Sequence, residues 1–301
     1  MNLLRPGSKE EISERPDGFD RAWSLRRRIN RTLDRIAAAT MTATIVAIIA
    51  LLVVPLAITV AMSFDAREYL GPFPPARLSV GWYQRFFSDD YLMHGLRTSL
   101  LLAVISATSA TTLGIAAALA IKRLPKGARD AVTALFLAPL IVPGVVVGFA
   151  LLLFYARAGI DNGFLRLLGG HVVITFPYAI RTILAALNGV PPSLIDAALS
   201  LGANHRRAVW TVTLPLIRTG IVAGAIFAFA FSLDDVAASL FLSDPHNYTL
   251  PVALVSMMHA NFDLTIAAVA VLLMGVTAVL MLALDRLAGL DRIVGASVYR
   301  A

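Results

Sequence analysis

The chain has 301 residues, of which 58% are hydrophobic and only 15% charged, with a net charge of +7 and a mean hydropathy of +0.75. That leaves too little polar surface to clothe a soluble body of this size, so a membrane is the expected solvent. The absence of cysteine excludes disulfide scaffolds, thiolate metal sites and a cysteine nucleophile, and the spread of the basic residues argues for membrane topology rather than nucleic-acid binding.

Residues 1–35 form a polar segment with nine Lys or Arg, including Arg26-Arg27-Arg28. The apolar stretch 36–64 is longer than a signal-peptide core and lacks a small-residue cleavage site, so it predicts an uncleaved first span. Residues 65–95 hold Gly71-Pro72-Phe73-Pro74-Pro75 and Trp82-Tyr83, breakers and interface aromatics that predict a loop with a short surface helix. Further spans are predicted at 96–121, 131–155, 172–190, 217–242 and 262–284, each near the ~20 apolar residues a crossing needs. The fourth is interrupted by Arg181 and ended by Pro191-Pro192. The pattern makes an all-α membrane protein of about six transmembrane helices, with one transmembrane domain over 36–285 and a tail over 286–301. With both termini cytoplasmic, the inside segments collect eighteen basic residues and the outside segments six, the asymmetry the positive-inside rule predicts.

The longest inside loop, 191–215, carries more structure than a linker. Pro191-Pro192 can start a helix, Ser193 can cap it, and Asp196 is placed near its positive end. Gly202 permits a turn that a side chain would resist. Residues 206–212 then predict a second short helix, stopped by Pro215. Such short helices are barely stable alone and gain order by docking on something, although an ordinary structured loop fits the same physics.

Asp196-Ala197-Ala198, Gly202 after three more residues, and Val212-Thr213-Leu214-Pro215 after nine more resemble the EAA motif of bacterial ABC import permeases. Asp196 stands where that motif has Glu, and Val212 where it has Ile. The resemblance implies a type I ABC importer permease fold in the bacterial inner membrane. It implies that Asp196, Ala197, Ala198, Gly202, Ala203, Leu214 and Pro215 couple to a separate ATP-binding subunit. It further implies a second homologous permease subunit, two ATP-binding subunits and a periplasmic solute-binding protein as partners, with the lipid bilayer around them and no nucleic acid. ATP and Mg would then sit on the motor subunit, with no cofactor bound by this chain. Consistent with that, the sequence contains no G-x-x-x-x-G-K-[ST] phosphate loop, nor the hydrolase signatures H-E-x-x-H and G-x-S-x-G.

A second block, Ser232-Leu233-Asp234-Asp235 with Phe241 and Thr249-Leu250-Pro251, resembles the spermidine/putrescine branch of these permeases, and within it the second, C-type subunit. The branch also includes importers of opines, amino-acid derivatives and other organic solutes. Outside the resemblance, a gated channel or secondary transporter and a membrane-embedded enzyme stay open. Asp234 lies ~25 Å along the fifth span at ~1.5 Å per residue, where a carboxylate is costly unless it meets a cavity, a cation or water. Asp234 and Asp235 are therefore candidate solute-path residues, the alternative being that they mark the helix end or pair with Arg181. Phe176, Tyr178 and Tyr248 could offer faces to a cation, although most membrane aromatics only pack. The five histidines, His94, His171, His205, His246 and His259, show no ligand spacing, so no metal site is expected and none is assigned chemistry. Pro55, Pro139, Pro143 and Pro177 are candidate bends, and Gly114, Ala118, Gly144, Gly148, Gly220 and Gly224 candidate close helix contacts.

Overall fold

The computed structural model describes residues 17–68, 71–260 and 263–288, so the first part of the basic segment 1–35, most of the tail 286–301 and the start of the predicted sixth span at Phe262 lie outside the described residues. The chain divides into two units, Met1–Ile58 and Thr59–Ala301. The first is the body of α1 (Asp17–Met62), a 46-residue helix. Its section Leu33–Met62 has a mean hydropathy of 2.9 over its most apolar window and exposes Ile45, Leu51, Leu52 and Val54. A helix apolar all round with its side chains uncovered belongs in hydrocarbon.

In chain order the second unit holds α2 (Gly81–Ser88), α3 (Asp90–Ile121), α4 (Lys126–Leu137), α5 (Gly144–Ala158), α6 (Gly163–Asn188), α7 (Pro192–Ser200) and α8 (His205–Leu216). It continues with α9 (Arg218–Asp234), α10 (Ser239–Leu242), α11 (Leu250–Ala260) and α12 (Thr265–Ala288). Among the described residues the only strand-like pairs are isolated bridges. The centre is the mutual packing of α3, α6 and α9. The side chain of Asp89 accepts from the Leu92 N–H at 3.0 Å to start α3, and Asn162 does the same for the Leu165 N–H at 3.0 Å to start α6. At the other end, Lys122 Nζ donates to the Leu187 carbonyl at 2.6 Å and ties the two helix ends together. Gly220 lets α9 lie directly on α6, because a Cβ there would sit 2.4 Å from Ala186 Cβ and 3.0 Å from the Thr182 carbonyl oxygen.

Among the described residues four helices are long and apolar enough to cross alone, and up to six crossings result if each of two bent pairs counts as one. Both bent pairs correct the predicted spans. The span expected at 131–155 is α4 and α5 meeting at 98°, because Pro139 and Pro143 remove two N–H donors from the turn between them. The span expected at 217–242 ends at Asp234, and α9 meets α8 at 67°. By contrast, Pro55 and Pro177 lie inside continuous helices, and α6 begins well before residue 172. Nothing in the sequence anticipated α11 as a separate element. It is apolar but too short to cross, and it buries Leu250, Pro251, Val252 and Ala253. It packs on α3, where Ser99 Oγ accepts from the Leu250 N–H at 2.8 Å.

Beyond α10, Asp244 pairs with Arg166 at 3.3 Å, fastening the turn to the start of α6. Burial alone would raise the Asp244 carboxyl, but hydrogen bonds from the His246 N–H and from Asn247, with the Arg166 charge, outweigh it and hold it below the usual carboxylate range. A depressed folded-state pKa gives stability that is present above the unfolded value of ~3.9 and is lost as the pH falls through the folded value. Thermal unfolding of the purified protein should therefore show no contribution from this group to pH dependence between about pH 6 and 8, and a loss below about pH 4 that Asp244→Asn diminishes.

Candidate functional site

The loop after α6 is built by its caps. Pro191 occupies the N-cap of α7 with no side-chain cap, and Pro192 sits at the first helical position, where a missing N–H costs nothing. Ser193 is therefore inside the helix and is not its cap, which corrects the expectation from sequence. The far end closes with Gly202 at φ +87°: its N–H reaches the Leu199 carbonyl at 2.9 Å and the Ala203 N–H reaches the Ala198 carbonyl at 3.0 Å. This pair of bonds is the Schellman closure, which needs a left-handed residue at that position. Two residues on, Asn204 caps α8 by accepting from the Arg207 N–H at 2.8 Å, a cap that sequence reasoning missed although Asn is a preferred capping residue.

Pro215 does not stop the second helix. Residues Val209–Thr213 widen into a π turn in which the Leu214 N–H reaches back to Val209, and α8 continues to Leu216 before the chain breaks at Ile217. A π turn absorbs the irregularity that a proline imposes on the helix. Asp196, Ala197, Gly202 and Pro215 are exposed, while Ala198, Ala203 and Leu214 are half-buried. Alongside them Leu201 is 89% exposed and Trp210 73% exposed, so the loop presents bare apolar side chains beside its carboxylate.

At the opposite end of α9, Asp234 is the last helical residue and is exposed. Asp235 leaves the helix in an extended conformation and is buried. The Tyr178 ring lies 4.5 Å from that of Phe231, one turn before Asp234 on the same side of α9. Tyr178 and Asp234 thus flank one stretch of α9. Phe176 instead meets Phe136 at 5.3 Å and lines an apolar groove with Val172, Val173 and Pro139. Tyr248 is buried, stacked 4.6 Å from Tyr91, and its hydroxyl donates to the Tyr91 carbonyl at 3.1 Å. Arg181 is exposed and lines a cavity of about 490 Å³ with Lys122, Arg129, Asp130 and Asn188. Among the described residues no ion pair joins Arg181 to Asp234 or Asp235, which corrects the pairing alternative.

The residue that sequence reasoning left without a role is His171. It is fully buried on α6, with Nδ1 2.8 Å from Ser232 Oγ on α9 and Nε2 2.9 Å from Ser239 Oγ on α10. The signal was a lone histidine at the head of an apolar run, weighed only against metal-ligand spacing. Among the described residues no three metal-ligating side chains come together.

The family described as "Binding-protein-dependent transport system inner membrane component" matches residues 110–289. The chain belongs to that family. The matched residues contain both the α7–α8 loop and Asp234. This permease is 30% identical over 202 residues to the spermidine/putrescine transport system permease protein PotC of Escherichia coli K12, covering 67% of this chain and 76% of that one. It is likewise 30% identical over 228 residues to the putrescine transport system permease protein PotI of the same strain, covering 73% and 80%. In structure it resembles a chain of a bacterial ABC transporter that imports the acidic polysaccharide alginate, with a TM-score of 0.66 at 18% identity, covering 89% of this chain and 98% of that one. At that identity the likeness is one of fold. This permease is thus a multi-pass inner-membrane subunit of an ABC importer.

Proposed function

We propose that this permease forms one half of the translocation path of an ATP-driven polyamine importer. The α7–α8 loop faces the cytoplasm and docks into an ATP-binding subunit, and both termini lie on that side. A second homologous permease, two ATP-binding subunits and a periplasmic solute-binding protein complete the assembly. Mg and ATP act on the motor subunits, and this chain performs no covalent chemistry. The loaded binding protein docks outside while ATP binding closes the motor dimer; the capped α7 transmits that closure to α9 through α8, and hydrolysis resets the bundle.

The observation that carries the cargo assignment is the exposed carboxylate of Asp234 at the end of α9, one turn from the Tyr178–Phe231 ring pair. An anionic group beside aromatic faces suits a linear organic cation. The polyamine relatives PotC and PotI support the same class.

The test is uptake of radiolabelled spermidine into proteoliposomes containing the complete importer. Uptake should require ATP and the binding protein; uptake that persists without ATP, driven by a proton or sodium gradient, would replace this reading with a secondary transporter. Asp234→Asn should raise the KM for spermidine by about tenfold or more, since a hydrogen bond to a charged group contributes about 1.5–3 kcal/mol. An unchanged KM would remove Asp234 from the path.

A further inference from the structure

Five side chains from α3, α6, α9, α10 and the break between the last two form one unbranched hydrogen-bonded chain. Asp235 Oδ2 accepts both the backbone N–H and the hydroxyl of Ser239, each at 3.0 Å. A hydroxyl has one hydrogen, so Ser239 Oγ, having given its own to the carboxylate, can only accept from His171 Nε2. The neutral imidazole then carries its proton on Nε2 and offers Nδ1 as acceptor to the Ser232 hydroxyl. Ser232 in turn accepts from Ser106 Oγ at 3.0 Å. All five residues are buried; the Ser106 hydroxyl also lies 3.4 Å from the Ala103 carbonyl oxygen, and with its shorter contact to Ser232 made the donors run in a single direction that ends on Asp235.

Packing alone does not call for this arrangement. Apolar side chains would fill the same volume without the desolvation penalty of a histidine, three serines and a carboxylate. What the chain does fix is a place. It holds the break between α9 and α10, whose other side is pressed against α5, where a Cβ on Gly148 would lie 2.7 Å from Ala238 Cα. Asp234 is the residue immediately before that break.

We infer that His171 is a positioning residue for solute passage: through Ser239 and Asp235 it fixes the end of α9 and so holds Asp234 where the solute meets it. The inference rests on the transport reading above. It differs from a packing role because it predicts an effect on solute affinity rather than on the amount of folded protein.

The experiment measures spermidine uptake by the complete importer in proteoliposomes, with the assembled complex quantified in each sample. His171→Leu removes both ring contacts, and Ser239→Ala breaks the same link with almost no change of volume. Each should raise the KM for spermidine by about tenfold while Vmax per assembled complex stays within about twofold. His171→Gln, which keeps one donor and one acceptor, should return the KM to within about threefold of the unsubstituted value. Combining Ser239→Ala with Asp234→Asn should give no higher KM than Asp234→Asn alone, since both act on one contact. If His171→Leu and Ser239→Ala leave the KM unchanged and only lower the amount of complex, the positioning role is overturned. It is overturned equally if the double variant multiplies the two single effects. Should His171→Leu fail to assemble, the Ser239→Ala measurement decides. A complete, unsubstituted importer that takes up no spermidine would instead overturn the polyamine reading on which the positioning role rests, and does so before any variant is compared.

Discussion

Gly202→Val is expected to abolish ATP-driven uptake while leaving the amount of membrane-inserted protein unchanged. At φ +87° the residue sits in a region that L side chains avoid. A left-handed conformation costs a non-glycine residue roughly 1–2 kcal/mol, and a β-branched one more. A Cβ at Gly202 would meet no atom within 4 Å, so the whole penalty is carried by the backbone. The chain can relieve it only by leaving the left-handed region, which breaks the bonds from the Gly202 and Ala203 N–H groups and turns α7 away from α8. The effect should be graded: Gly202→Asn, which tolerates this conformation, keeps most uptake, Gly202→Ala loses part of it, and Gly202→Val loses it. Binding-protein-stimulated ATP hydrolysis of the reconstituted importer should fall in the same order. Normal uptake by Gly202→Val would remove the loop from the coupling route.

The second large effect is on the fold. Gly220→Leu forces α9 off α6, because the first added atom would lie 2.4 Å from Ala186 Cβ and 3.0 Å from the Thr182 carbonyl oxygen. Neither neighbour is the tip of a flexible side chain, so the helices themselves must part. Overpacking ordinarily costs about 1–3 kcal/mol, and a contact that displaces backbone belongs at or beyond the upper end. Thermal unfolding in detergent should show a fall of several degrees, together with less assembled complex. Ala186→Gly in the same chain opens the space on the facing helix and should recover part of the loss; no recovery would mean that the contact is not the cause.

The residues fixed by solvent and steric demands were the ones readable in the sequence. Long apolar runs placed α1, α3 and α12 because hydrocarbon tolerates little else over such a length. The left-handed glycine at 202 was readable because only backbone chemistry is involved. The bent pairs were not: a lone proline stays inside a continuous helix at Pro55 and Pro177, whereas Pro139 and Pro143, four residues apart, take two donors from one turn and end it. A different reason hid the His171 chain. Asp235 and Ser239 meet locally, four residues apart, but Ser106, His171 and the 232–239 segment are far apart in sequence, and only the packing of α3, α6 and α9 brings them within hydrogen-bond distance. Tyr178 and Phe176, two residues apart, are sent to opposite sides of α6 by the ~100° turn per residue, so one reaches α9 and the other an apolar groove.

Leu201 and Trp210, uncovered on the α7–α8 loop, have a consequence for the life of the protein before it works. With the loop facing the cytoplasm as proposed, a copy inserted ahead of its motor carries a sticky apolar tip into the cytosol, the kind of surface that chaperones hold and proteases sort. Cells making this permease without the ATPase should therefore clear it quickly, so that supply of the motor sets how much permease survives.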